Sequence, residues 1–416
     1  MSYKYVCYFT SRACAVLVVA AALVITSLAA DNEKVLYSFT GANDGGNPAS
    51  QLIFDGSGNA YGTTVVGGLY GCGTVFELTL SGGKWQESVL YSFNCFDTGK
   101  NPYGGVTFDS AGNLYGTTAA GGSGGECAGD GCGVVYKLTQ SGGAWTETVL
   151  YNFTGGDDGF GPGGGVVFDK AGNLYGTTPD GGASSQGVVY QLSLNNGQWK
   201  QAVLHAFTGG ADGGVGSLGL LLLDPAGNLY GVTELGGTYG AGVVFKLSPA
   251  GGTWKFSTLY PFQGLPDAGF PYGGLIFDAV GNVYGTTYFG GANGVGAVFK
   301  VGPGPNALAG WKDKVLYSFQ GGTDASLPTS TLVFDAAGNL YGTSSTGGNP
   351  SCDCGTVFKL ASTSSGWTES VLHSFGSNGD GAYPSYGITP DGMGNYFGTT
   401  PVGGTYGQGV VFEITP

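Results

Sequence analysis

Charge is scarce in this sequence, and arginine is nearly missing. Only 10% of the 416 residues are Asp, Glu, Lys or Arg, against roughly 25% in ordinary globular chains. Few glycine-free windows exceed a dozen residues, so helices of ordinary length have nowhere to sit. The two histidines, His205 and His373, stand in the same slot of a recurring V-L-Y-x-F run. That leaves no material for a Ser-His-Asp triad or a multi-histidine metal site. No Gly-Lys-Ser/Thr follows any glycine pair, which argues against nucleotide binding. No segment has the dense D-x-D-x-D-G spacing of a calcium loop. No catalytic residue, metal or cofactor is therefore assigned. What is abundant is glycine, at 85 residues, with 17 prolines; together they make about a quarter of the chain. With 42% hydrophobic and 13% aromatic residues, such a chain can still bury a core.

Residues 1–12 carry Lys4 and Arg12 and no acid, residues 13–25 are apolar, and small residues follow up to Ala30. This pattern predicts a secretory signal over residues 1–30, cleaved near Ala29 or Ala30; an uncleaved membrane anchor is the alternative. No second apolar run and no C-terminal anchor is seen. The remaining residues 31–416 hold twelve lysines and 28 acids, a formal charge of −16. An acidic, arginine-free surface repels phosphate backbones and anionic lipids, so nucleic-acid and membrane-surface partners are not expected.

Seven aspartates, Asp55, Asp109, Asp169, Asp224, Asp278, Asp335 and Asp391, are each followed three and four residues later by Gly-Asn. Their spacings of 54 to 60 residues, mean 56, mark a tandem repeat. Each copy holds four short apolar runs punctuated by glycine, which read as strands. Four strands per repeat, seven times over, predict an all-β, seven-bladed β-propeller spanning residues 31–416 as one domain. The chain starts with an outer-type strand, Val35-Leu36-Tyr37-Ser38-Phe39, and ends with a third-type strand over residues 410–414. The first is expected to complete the last blade and so remove two open edges. Six tryptophans precede the outer strands, and Asp31 takes the seventh place.

The succession V-L-Y-S-F, D-G-x-x-P, F-D-x-x-G-N-L-Y-G-T-T, G-G and G-V-V-F-K-L resembles the Gloeobacter/Verrucomicrobia (GloVer) tandem repeat, across nearly all of residues 31–416. The resemblance implies an exported protein of a family with varied surface-anchoring signals. It implies no catalytic activity.

A second aspartate also recurs a few residues before the first strand of each copy: Asp44, Asp97, Asp158, Asp212, Asp267, Asp324 and Asp380. Both sets read as turn chemistry, because a role repeated in every copy belongs to the frame. Six cysteines remain after the signal. Cys72 is expected beside Cys95 and Cys127 beside Cys132, both disulfide candidates in an oxidising compartment. Cys352 and Cys354 are the third candidate, and one intervening residue would make that bond strained.

Function is expected where the copies differ, on the face carrying the second-to-third and outer-to-first strand loops. Asp180, Glu234, Tyr239, Tyr288, Phe289 and Tyr406 depart there from a small-residue background, and Tyr103, Tyr272, Tyr383 and Tyr386 add aromatic surface. Aromatics beside carboxylates could stack on sugar rings and accept their hydroxyl hydrogen bonds. Loop packing is the plainer reading of the same tyrosines. The expectation is a secreted, monomeric, non-enzymatic scaffold for a polysaccharide or a cell-surface protein. The alternatives are a carbohydrate-active enzyme using Glu234 and Asp180, and a structural envelope component.

Overall fold

The computed structural model describes residues 33–416, apart from residues 126, 128, 217–218, 305–309 and 377–378. The signal segment and Asp31 lie outside the described residues. All regular elements among the described residues are strands. They form seven antiparallel four-stranded blades. In the second blade the strands, a to d from the axis outward, are Val106–Phe108, Leu114–Thr118, Val134–Ser141 and Ala144–Asn152. The seventh blade takes its outer strand from the other end of the chain: Glu33–Ser38 pairs antiparallel with Val410–Ile414. The ring is closed as the strand types at the two ends predict.

The core lies between blades. One cluster joins Tyr61, Val75 and Phe93 of the first blade to Leu114, Val134 and Tyr136 of the second. The one that closes the ring joins Phe397 and Val411 to Leu52, Phe76 and Phe39. At every junction the last phenylalanine of V-L-Y-x-F meets a strand-c ring of the next blade edge to face, from Phe39–Phe76 at 5.1 Å to Phe375–Phe412 at 5.0 Å. Edge-to-face pairs suit the ring quadrupole and add to the area they bury. That ring also explains the glycine inside L-Y-G-T. A Cβ on Gly62 would stand 2.6 Å from Phe76, and one on Gly116 would stand 2.4 Å from Tyr136. A mid-strand glycine here admits the neighbouring aromatic.

Each outer strand carries a register shift within V-L-Y, as between Val149 and Tyr151. The bulge breaks the two-residue alternation, so that Tyr and Phe both turn toward the interblade side; Tyr151 and Phe153 pack edge to face at 5.1 Å. One further element was not anticipated. The D-G-x-x-P segment forms a short rung against the end of strand b, as Gly46–Pro48 does against Thr64 and Val66.

Candidate functional site

The rung positions the loop face. The residue before its proline, or before Gly216 in the fourth copy, is left-handed in every copy: Asn47, Asn101, Gly161, Val215, Phe270, Leu327 and Tyr383 have φ between +51° and +71°. In that conformation the N–H turns toward the preceding blade. Asn47 donates to the Gln408 carbonyl at 2.8 Å, Asn101 to Cys72 at 3.1 Å and Tyr383 to Cys354 at 2.7 Å. The three disulfides Cys72–Cys95, Cys127–Cys132 and Cys352–Cys354 are all formed. Cys72, Cys132 and Cys354 each supply the carbonyl of such an interblade bond. The covalent links therefore brace the face on which the loops gather, as fits an oxidising compartment.

Three residues follow each rung before strand a turns apolar, and here the copies diverge: Ala49-Ser50-Gln51, Tyr103-Gly104-Gly105, Tyr272-Gly273-Gly274, Thr329-Ser330-Thr331 and Ser385-Tyr386-Gly387. These triplets surround the axis at close quarters. A Cβ on Gly104 would stand 2.2 Å from the backbone of Gly165, and one on Gly273 would stand 2.5 Å from Ser330. The first threonine of the T-T pair ties several of them across blades: Thr63 donates to the Pro102 carbonyl at 2.7 Å and Thr399 to Ser50 at 3.0 Å. Together the seven blades line an axial cavity of ≈ 470 Å³. Tyr103, Tyr272, Tyr288, Tyr386 and Glu234 are its aromatic and charged walls, with Gln51, Thr329, Thr331, Ser345 and Ser385 as neutral polar groups.

Glu234 is half-buried near the end of strand Leu229–Leu235, and burial raises its carboxyl above the usual range. The Tyr272 phenol is raised first by burial and then by the Glu234 charge and the phenols of Tyr103 and Tyr288. Burial raises Tyr386 as well, with Tyr272 and Tyr103 adding to it. These couplings bring five side chains from four blades into one electrostatic group.

Glu234, Tyr288 and Ser345 share one repeat position, the first after the T-T pair or its counterpart, while Asp180, Leu235 and Phe289 share the next. Adjacent strand residues point to opposite faces, so Asp180 does not join Glu234 at the cavity. Its carbonyl accepts the Thr178 hydroxyl at 2.8 Å and its backbone bridges Phe160. Tyr239, Tyr406, Phe289 and Tyr383 are exposed and do not line the cavity. The lining residues Gln51, Leu220, Thr329, Thr331, Ser345 and Ser385 were not singled out from sequence. Their offset from the repeat aspartate, or from the T-T pair, was the signal that could have found them.

The repeated aspartates are frame. In the second copy Asp109 accepts the backbone N–H groups of Ala111 and Asn113, the Asn113 side chain and the Tyr115 hydroxyl. Burial by itself would raise its carboxyl, but these bonds outweigh it and hold the group below its ordinary value. The second set closes on the residue seven places earlier: Tyr151 donates to Asp158 at 2.8 Å, and His205 and His373 meet Asp212 and Asp380 at 3.0 Å. In one copy the expected register is off by one. Thr98, not Asp97, stands seven residues after Tyr91, and its hydroxyl accepts the Asn94 N–H at 2.8 Å. The second aspartate position therefore recurs in six copies.

The Gloeobacter/Verrucomicrobia repeat model matches residues 22–128, 126–349 and 219–416, and the chain belongs to that family. No curated protein sequence matches it. Among solved structures, the extracellular domain assigned to a one-component system of B. thetaiotaomicron aligns with a TM-score of 0.56 at 10% identity. It covers 91% of this chain, which spans only 39% of that one. A hypothetical selenium-binding protein from Sulfolobus tokodaii aligns at 0.49 with 11% identity, covering 79% of this chain and 80% of its own. At these identities the likeness is one of fold.

Proposed function

We propose that this member of the Gloeobacter/Verrucomicrobia repeat family is an exported, non-enzymatic binding propeller that takes a sugar unit of a polysaccharide into its axial cavity. The observation that carries this reading is the convergence of Tyr103, Tyr272, Tyr288, Tyr386 and Glu234 on one concave space, at positions where the frame demands no particular side chain. Tyrosine rings offer flat faces to the C–H side of a sugar, and the neutral hydroxyls and amide around them suit its hydroxyls. Hydrolysis by a carboxylate pair is less well supported. Such chemistry needs two acids flanking one bond, and Glu234 is the one carboxylate among the described lining residues.

A pull-down of the purified protein on a panel of insoluble polysaccharides tests this. Saturable retention on one polymer is expected, weakened by Tyr272→Ala and Tyr288→Ala but not by Tyr406→Ala at the exposed rim. Retention on none of them would transfer the function to a protein partner or to an envelope scaffold.

A further inference from the structure

We propose that the sugar unit held in the axial cavity carries a protonated amine, so that the ligand class is an unacetylated amino sugar. This deepens the binding reading above and rests on it. The first ground is the charge of the wall. Glu234 lines the cavity and no lysine or histidine does among the described residues. No ion pair reaches Glu234 among the described residues, although burial already disfavours its charged form. A half-buried carboxylate without a counter-ion gains more from a cationic ligand than from a neutral one.

The second ground is the aromatic surround. Tyr103, Tyr272, Tyr288 and Tyr386 line the same cavity as Glu234, and the Glu234 charge adds to burial in raising the Tyr272 phenol. An ammonium group among tyrosine faces and next to a carboxylate is attracted by both. The third ground is that the frame does not ask for this acid. The same repeat position holds Val65, Ala119, Pro179, Tyr288, Ser345 and Pro401 in the other copies.

The surrounding field points the same way. Lys100 is the one lysine on the loop face, and it is paired with Asp130 at 2.7 Å. The other described lysines stand on the two outer strands of the blades or, at Lys170, in the a–b turn. With that cation neutralised and a formal charge of −16 over residues 31–416, the field of the protein raises the local concentration of cations. A sugar amine fits better than a lysine side chain: Thr329, Ser385 and Gln51 donate to the carbonyls of Ser385, Tyr383 and Ile388 and keep oxygen acceptors for a ligand, while Thr331 accepts the Gly274 N–H and keeps a proton to donate. A methylene stem would use none of them.

Calorimetric titration of the purified protein tests the proposal with three oligosaccharides of equal length: β-1,4-linked glucosamine, its N-acetylated form, and the glucose oligomer. The glucosamine oligomer is expected to bind about tenfold tighter than the other two. That preference should vanish in Glu234→Gln without a fall in melting temperature, and Tyr272→Ala should weaken all binding. Equal or tighter binding of the acetylated or glucose oligomer overturns the amine while leaving the sugar reading intact. Glucosamine binding that Tyr272→Ala and Glu234→Gln leave unchanged is attraction to the acidic surface alone and also overturns it. Competition by a lysine oligomer as strong as by the glucosamine oligomer would move the amine from sugar to protein. Binding of none of the three removes the sugar reading itself.

Discussion

At the scale of single residues, the repeated positions divide by what the backbone asks of them. Asparagine and glycine fill the left-handed place before the proline in three copies and tolerate it readily. Val215 occupies the same place at φ +52°, where a β-branched side chain is under steric strain of about 1–2 kcal/mol. Glycine would relieve that strain, at a cost of about 0.4–1 kcal/mol through the freer unfolded chain. Because Gly161 makes the equivalent N–H bond to Cys132, the interblade contact survives the change. Val215→Gly is therefore expected to hold or raise the melting temperature, whereas a valine in an unstrained, half-buried setting would lower it on becoming glycine. Calorimetry of the two proteins decides, and a clear drop would show that Val215 contributes more by packing than it costs by strain. Such strain was not legible in the sequence, since V-G-S-L gives no sign that its first residue is left-handed.

At the scale of strands, the outer strand carries an acid two residues after its tryptophan in several copies. The burial is interblade. Glu87 lies against Asp44 in the segment entering its own blade; burial, then that charge, raises its carboxyl to about 8, and its Oε1 is buried without a hydrogen bond. Glu147 is raised by burial to about 7. Asp313 and Glu369 are raised by burial and by the neighbouring carboxyls of Asp267 and Asp324. The equivalent Gln201 donates instead to the Asp158 carbonyl at 3.1 Å, and Phe256 stacks on His205 with 4.0 Å between centroids. The linkage has one sign. Between the ordinary carboxylate value near 4.3 and the raised values, the folded chain holds protons that the unfolded chain has released. Stability should therefore fall as pH rises from about 4.3 to about 8. Glu87→Gln, uncharged in both states, is expected to raise the melting temperature at pH 8 and leave it nearly unchanged at pH 4.5. A variant that melts with the parent at both pH values would mean that Glu87 reaches solvent in the folded protein. In the sequence these acids look like ordinary exposed charge on an alternating strand, because their neighbours, the second aspartate of their own copy and the outer-strand tyrosine of the preceding blade, stand far away in the chain.

At the scale of the whole molecule, closure is the decisive contact. Glu33–Ser38 supplies the outer strand of the last blade and Phe39 packs edge to face against Phe76 across the junction. Removing residues 33–39 would uncover strand Val410–Ile414 and open one interblade core, leaving two edges ready for another chain. The truncated protein is expected to melt lower and to elute partly as larger species in size-exclusion chromatography; melting and elution identical to the full ring would mean that the strand adds nothing to closure. The blade number, the strand order and this closure were readable in the chain alone, because each repeat has the same short-range pattern and its period is set by local turns and alternation. Strand order likewise placed Cys72 beside Cys95, and a shared loop placed Cys127 beside Cys132. The register that replaced Asp97 by Thr98 needed the observed partner of the aromatic seven residues earlier. The site needed the ring. Tyr103, Tyr272, Tyr386, Glu234 and Tyr288 come from four repeats and share no local pattern, and they meet only because all seven blades turn the same edge toward one axis. Strand parity then divides neighbours that look alike in sequence, sending Glu234 to the cavity and Asp180 away from it. The amino-acid sequence by itself determined the frame, which rests on contacts repeated within and between adjacent copies; only the tertiary structure decided the cavity, which rests on where the unrepeated side chains converge.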